Sequence, residues 1–408
     1  MRRSREAGQT LVSVVFGMVV LGAVLGLAID VGYLRVLKRE LQTAADSAAV
    51  AGAAELNYGD MTAAADADAA ADGFTDGTNG VTVTVNSPPL SGPNQGVAGY
   101  VEVLVSKSQP TFFIRLAPGG AQSSTVQARA VAYQGSGKGC IYALQATPGS
   151  ITIGTRGRRG GNVDMTADCA VLDNGDFTVL GRADNISASA IGVSGTANNG
   201  TRSRVNPPPQ TNMVSVGDPL AYLPQQNPAR CDYTNFPAIN GNRTLSQGVY
   251  CGGIVINNGA NVTFNPGLYV LVASRTANNG LSINGGNVTG DDVTFYNGAN
   301  SGSVSITSLG AVTLTAPTMG TYSGVLIFQD PNNQNSPTID GGANPVFQGA
   351  LYFANPNTVL TLDDIGSTAA YTIAVAGSLD VRGNNNVFGS DYSSLSNGSP
   401  IKAPILTE

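Results

Sequence analysis

No charged residue falls between Glu6 and Asp30, and Thr10 to Ile29 is a run of 20 mostly apolar residues. At a rise of about 1.5 Å per residue such a helix is about 30 Å long, the thickness of a bilayer's hydrocarbon core. The pattern predicts a membrane-spanning helix over 10–29, with Leu11, Val15, Phe16, Val20, Leu25 and Ile29 as anchoring side chains. A cleaved export signal is the rival reading, and Gly26-Leu27-Ala28 fits a small-x-small site loosely. The apolar run is long for that, and helical periodicity continues past it. Leu34, Leu37, Leu41, Ala44, Ala48 and Ala51 form one stripe at alternating three- and four-residue steps. The stripe shrinks from leucine to alanine, so another backbone can approach closely, either from the same chain or from a partner helix. A helical stalk over 30–57 is expected to leave the bilayer without a break.

Beyond it the period changes. An alanine-rich segment with Asp60, Asp66, Asp68 and Asp72 reads as a second short helix with a solvated acidic face, without the spacing of a calcium loop. Residues 81–85, 100–106 and 126–133 alternate with period two and read as strands. The stretch 110–116, "PTFFIRL", is expected to give its two phenylalanines to a small core, making 58–135 a compact α+β module. From 139 to 402, very short apolar runs alternate with Asn/Gly turns, among them 254–256, 262–264, 281–283, 293–295, 304–306, 312–314, 325–328, 351–353 and 372–375. One series of starts, 281, 304, 325, 351 and 373, steps by 23, 21, 26 and 22 residues, a solenoid period. The expected fold is mostly β: a right-handed parallel β-helix-like repeat body with Asn257-Asn258-Gly259, Asn284-Gly285-Gly286 and Asn297-Gly298 at its corners. Asn-Gly is also the strongest hairpin signal, so a β-sandwich is the alternative. The proline-rich interruption at 206–224 reads as an ordered excursion.

Composition narrows the chemistry. The 408 residues hold 52 glycines, no tryptophan and no histidine, with 12% charged side chains and a net charge of −6. Without histidine there is no Ser-His-Asp or Cys-His catalytic device and no His-ligated zinc. The acidic balance makes nucleic acid an unlikely partner for the body. Cys140, Cys169, Cys231 and Cys251 lie 29, 62 and 20 residues apart with no C-x-x-C. An even count in an exported chain favours two disulfides, locally paired as 140–169 and 231–251, with two other connectivities and free thiols also open.

Three acidic signals are weighed as sites. Asp291-Asp292 and Asp363-Asp364 have the look of paired catalytic carboxylates, but each sits where a turn is expected. Asp391-Tyr392-Ser393-Ser394-Leu395 departs at its last position from a metal-binding D-x-S-x-S. Arg156, Arg158 and Arg159 form a small basic loop that reads as a solvated turn. No catalytic, cofactor or metal residue is assigned.

One stretch carries a resemblance. Gly8-Gln9, the apolar run, the Ala28-Ile29-Asp30-Val31-Gly32 exit and Leu41-Gln42-Thr43-Ala44-Ala45-Asp46-Ser47-Ala48-Ala49 resemble the N-terminal segment of TadE/TadG-like proteins of the Tad (tight adherence, Flp) pilus-assembly system. A processed pseudopilin would carry Glu five residues after the cleaved glycine, where Ser13 stands. The chain is thus similar to the TadG-like side of the family, and residues 100–132 and the glycine-rich body resemble a TadG-like subset. The resemblance implies a non-enzymatic protein of the bacterial inner membrane. The head before the apolar run is very short and so is the simpler side to keep in the cytoplasm: residues 1–9 are expected to form a cytoplasmic head, with the body outside the cytoplasm. Its partners would be pilus-assembly components and, further out, surface or wall glycan. A β-helical glycan-binding adhesin, or a glycan-active enzyme unrelated to pili, is the alternative.

Overall fold

A computed structural model describes residues 7–408 apart from 57–59, 117–118, 137–138, 147–148, 155–161, 182–183, 201, 214, 308–309, 343 and 367. The chain is mostly β with a long apolar N-terminal helix, and it divides into two compact units. The first runs to Gly135 and also takes in Ala403–Glu408; the second is Ser136–Lys402. The second is therefore inserted in the connection between two strands of the first.

In the first unit α1 (Ala7–Glu55) is one uninterrupted helix of 49 residues. α2 (Met61–Ala71) starts where Asp60 accepts the amides of Thr62 and Ala63, satisfying donors that a helix start leaves free. β1 (Val81–Asn86), β2 (Tyr100–Pro110) and β3 (Ser123–Ser136) form a sheet with the last strand, Lys402–Leu406. β1–β2 and β2–β3 are antiparallel. The core joins Leu37, Leu41, Ala44, Ala45, Ala48, Ala49 and Ala53 of α1 to Val101, Val103 and Val105 of β2, Ala128, Ala130 and Ala132 of β3, and Ala65 and Ala69 of α2. The small residues let helix and sheet approach closely. This half of α1 is thus a wall of the unit rather than a free-standing stalk, and its stripe packs within its own chain. Leu34 and Ala51 are only half-buried.

Glu102 is buried in this unit and accepts from Ser91 Oγ, Arg129 Nε, Leu90 N and Asn86 Nδ2 at 2.5, 2.7, 3.0 and 3.0 Å. Burial works against its charge. The donors from Ser91, Arg129, Leu90 and Asn86 outweigh that and hold the carboxyl down at about 2. Arg129 also reaches Glu408 at 2.5 Å.

The second unit is built of parallel sheets. Ile254–Asn257, Asn261–Phe264 and Gly267–Val272 follow one another, and each pairs with the third strand on: Ile254 opposite Leu281, Asn261 opposite Asn287, Gly267 opposite Val293. The named strand pairs of this unit are parallel, so the hairpin-linked arrangement that Asn-Gly turns also permit is not what forms. Inward side chains stand in register from strand to strand. In one sheet Ile256, Ile283, Ile306, Ile339, Leu362, Val381, Ile153 and Val179 make a continuous buried column. That column passes from Val381, near the end of the unit, to Ile153, near its start. The strand Thr372–Ala376 likewise pairs with Gly139–Ala143.

The series of starts at 281, 304, 325, 351 and 373 is corrected by this register. Its first two members lie in one sheet and its last three in another. Corner insertions of unequal length let the count slip from one sheet to the next. Gly259, Gly285 and Gly286 do take left-handed φ at their corners.

The proline-rich excursion is ordered. Leu220 and Leu223 are buried. Asp218 accepts from Tyr352 Oη at 2.6 Å, and Gln226 donates to Tyr322 Oη at 3.0 Å. Tyr352 ends a stacked row, Tyr296–Phe328–Tyr352, at centroid spacings of 5.3 and 4.4 Å, and Tyr322 meets that row edge-on. The excursion thereby covers the outer face of the largest sheet, whose inner face carries Phe295, Ile327 and Leu351.

Candidate functional site

The feature with most chemical character in the first unit is the end of the apolar stretch of α1. Leu11, Val15, Phe16, Val20, Leu25 and Ile29 are all exposed, so this surface finds little cover among the described residues. A helix of this length and hydropathy is able to cross a bilayer. Arg2, Arg3 and Arg5, which precede it, lie outside the described residues.

Asp30 closes that stretch, and it is buried. Its carboxylate accepts the amides of Phe112, Phe113 and Ile114 at 3.1, 2.9 and 2.7 Å. It thereby satisfies the start of the short turn Ile114–Leu116. Three converging amides are what allow an acid to stand at this edge. A turn earlier, a Cβ at Gly26 would lie 2.8 Å from the ring of Phe113, so the loop is seated directly on the helix backbone. Tyr33 meets Phe112 edge to face at 5.9 Å. The two phenylalanines are thus not core residues, as their apolar character had suggested. Both are exposed and lie beside the helix. Asp30 itself was visible in the sequence as the acid that ends the apolar run, but nothing in the sequence named the three amides it binds.

The four cysteines form two disulfides, Cys140–Cys169 and Cys231–Cys251, each with Cα atoms 5.7 Å apart. The second ties the segment that follows the proline-rich excursion to the strand Gly248–Cys251.

Asp291 and Asp292 are exposed in a turn, with Asp292 at φ 56° and Asp291 accepting from Thr315 at 3.2 Å. Asp364 is also a turn residue, at φ 48°, and accepts the amides of Asn384 and Asn385. Burial, with the charges of Asp364 and Asp340, pushes the Asp363 carboxyl up. Asp391 accepts the Ser393 amide at 3.0 Å. Asp60 is a helix cap and Asp72 accepts from Ser47 at 2.6 Å. No group of three or more metal-ligating side chains is found among the described residues. The arginine loop at 156–159 lies outside them. A polar cleft of about 560 Å³ in the second unit is lined in part by Gln225, Gln226, Asn227, Asn300, Asp330 and Asn332.

Residues 8–55 match the family described as "Putative Flp pilus-assembly TadE/G-like". The match coincides with α1 and includes Asp30 and the buried alanine stripe. No curated protein matches the chain, and no solved structure does.

Proposed function

We propose that the chain is a non-enzymatic, membrane-anchored envelope component of Tad/Flp pilus assembly or surface adherence, of the TadG-like kind. The family match over residues 8–55 carries this reading, and the exposed apolar surface of α1 supports it. The helix crosses the inner membrane with its N-terminus in the cytoplasm and the body periplasmic or extracellular. The body is a right-handed parallel β-helix, supported by pairing of every third strand and by the unbroken isoleucine-rich column. Two disulfides fit an oxidising compartment. Its role is mechanical: a rigid, nearly uncharged surface held at the membrane to meet pilus components.

Deleting the gene and imaging pili, with surface attachment scored in parallel, tests the reading. Loss of either, restored by the intact gene, supports it. Wild-type piliation together with wild-type attachment overturns it.

A second reading, a glycan-binding adhesin or glycan-active protein, is favoured by the amide-lined cleft, which presents donors and acceptors suited to sugar hydroxyls. Reducing-sugar release by the full chain, compared with an Asp291→Asn/Asp292→Asn variant, separates the two. Turnover that the variant loses would replace the mechanical reading.

A further inference from the structure

We infer that the loop Phe112–Leu116 is a second membrane contact, embedding beside α1 in the acyl chains of the leaflet from which the helix emerges. The inference rests on α1 spanning a bilayer.

Between this loop and α1 runs an open apolar groove of about 670 Å³, lined by Val19, Gly22, Ala23 and Leu27 on one side and Phe113, Ile114 and Leu116 on the other. One wall of the groove is the spanning stretch itself. Val19 lies 11 residues before Asp30, about 16 Å along a helix axis, which is about half the thickness of the hydrocarbon layer. Whatever fills a groove at that depth is surrounded by lipid, and acyl chains fit its lining.

The loop has the composition of such a contact. Phe112 is 49%, Phe113 44% and Leu116 74% exposed, while the unit's own core is complete without them. Arg115 is exposed between two of the apolar side chains, where it can reach lipid phosphate. The backbone, which lipid would punish for open amides, is closed off where it matters: Phe112, Phe113 and Ile114 donate to Asp30. An anchor of one helix and one wedge fixes the helix against rotation about its axis, which a lone span does not.

The chain contains no tryptophan, so single substitutions report depth directly. Leu116→Trp, with Phe112→Trp as the milder aromatic exchange, is placed in the full chain in phospholipid vesicles brominated on the acyl chains. Val20→Trp reports the span, and Leu90→Trp reports an exposed loop of the same unit. The expected result is blue-shifted emission from position 116 or 112, quenched severalfold more by brominated lipid than the Leu90→Trp signal and weakly by aqueous acrylamide. Signals at both loop positions matching Leu90→Trp, while Val20→Trp is quenched, overturn the wedge and leave the span standing. Blue-shifted emission insensitive to brominated lipid means that protein, such as a second copy of the chain, covers the loop, and also overturns it. An unquenched Val20→Trp overturns the spanning reading and the wedge with it.

Discussion

Replacing Asp30 by alanine removes the acceptor shared by the amides of Phe112, Phe113 and Ile114. A hydrogen bond to an ionised acceptor contributes about 1.5–3 kcal/mol net. Three donors share one carboxylate here, so their contributions do not add in full. A total below the roughly 4.5 kcal/mol that three such bonds would sum to, about 3 kcal/mol, is the reasonable magnitude. Hydrogen exchange of these three amides in a lipid nanodisc reads that number directly, since each 1.4 kcal/mol off a local opening free energy is about tenfold in rate. The Ala variant should exchange there about 100-fold faster than the parent, with the β2 amides unaffected. Asp30→Asn keeps one acceptor oxygen without charge and should fall between the two. Exchange at 112–114 that Asp30→Ala leaves within about twofold of the parent would refute the reasoning, because the carboxylate would then not be what holds the loop to the helix.

Glu102 carries a pH prediction. Its folded carboxyl is held at about 2 against an ordinary 4.5. Its contribution is thus fully present above about pH 4.5 and is lost as pH falls toward 2; by linkage it amounts to about 2–3 kcal/mol. Thermal unfolding of the detergent-solubilised chain should show Glu102→Gln well below the parent at pH 7, the gap narrowing as pH falls below about 4.5 toward 2; a gap independent of pH would reject the network. The Cys231→Ser/Cys251→Ser pair opens a disulfide spanning 20 residues, a loss of about 3 kcal/mol in the loop-entropy account; limited proteolysis should then cut first in the segment 225–247 that the bridge ties down. Gly253 and Gly259 have nearly equal φ, 79° and 80°, but a Cβ at Gly253 would fall 1.9 Å from the Asn279 carbonyl oxygen while Gly259 faces open space. Gly259→Ala should cost about 1 kcal/mol and Gly253→Ala at least about 2 more in chemical unfolding; equal costs would mean that the neighbouring strand yields freely.

What the sequence made legible was the periodic part. The uncharged run stood out because lipid tolerates no alternative, and the leucine-to-alanine stripe named Leu37, Leu41, Ala44 and Ala48 correctly. It missed Ala45, Ala49 and Ala53, because α1 is covered by α2 as well as by the sheet and its buried arc is wider than one stripe. Short β runs were found where inward positions need aliphatic side chains, yet their grouping into sheets was not, since corner lengths vary and no local signal fixes the register. "PTFFIRL" was placed in the core because an apolar side chain that stays exposed looks the same in sequence as one that is buried. Asp30 was quoted as part of a family motif, but its role needs partners 82 to 84 residues away. The last strand was the least visible of all: it belongs beside β3, from which the whole second unit separates it.

That separation orders assembly. The strand Gly139–Ala143 pairs with Ala170–Asp173 on one side and with Thr372–Ala376 on the other, so this first strand of the second unit keeps an open edge until residues 372–376 arrive. The sheet of the first unit is likewise missing a strand, and Arg129 is missing Glu408, until residues 402–408 arrive. A chain that emerges N-terminus first therefore completes neither unit until residues 372–408 have followed. The body is also joined to the anchored unit at both of its ends, through β3 and the last strand. Strain applied to the body is shared by two covalent connections to one sheet, and a single nick in a body loop leaves each half still joined by chain to the anchored unit. For a protein read as a scaffold at the membrane, this insertion topology does more to resist pulling than two domains strung in series would.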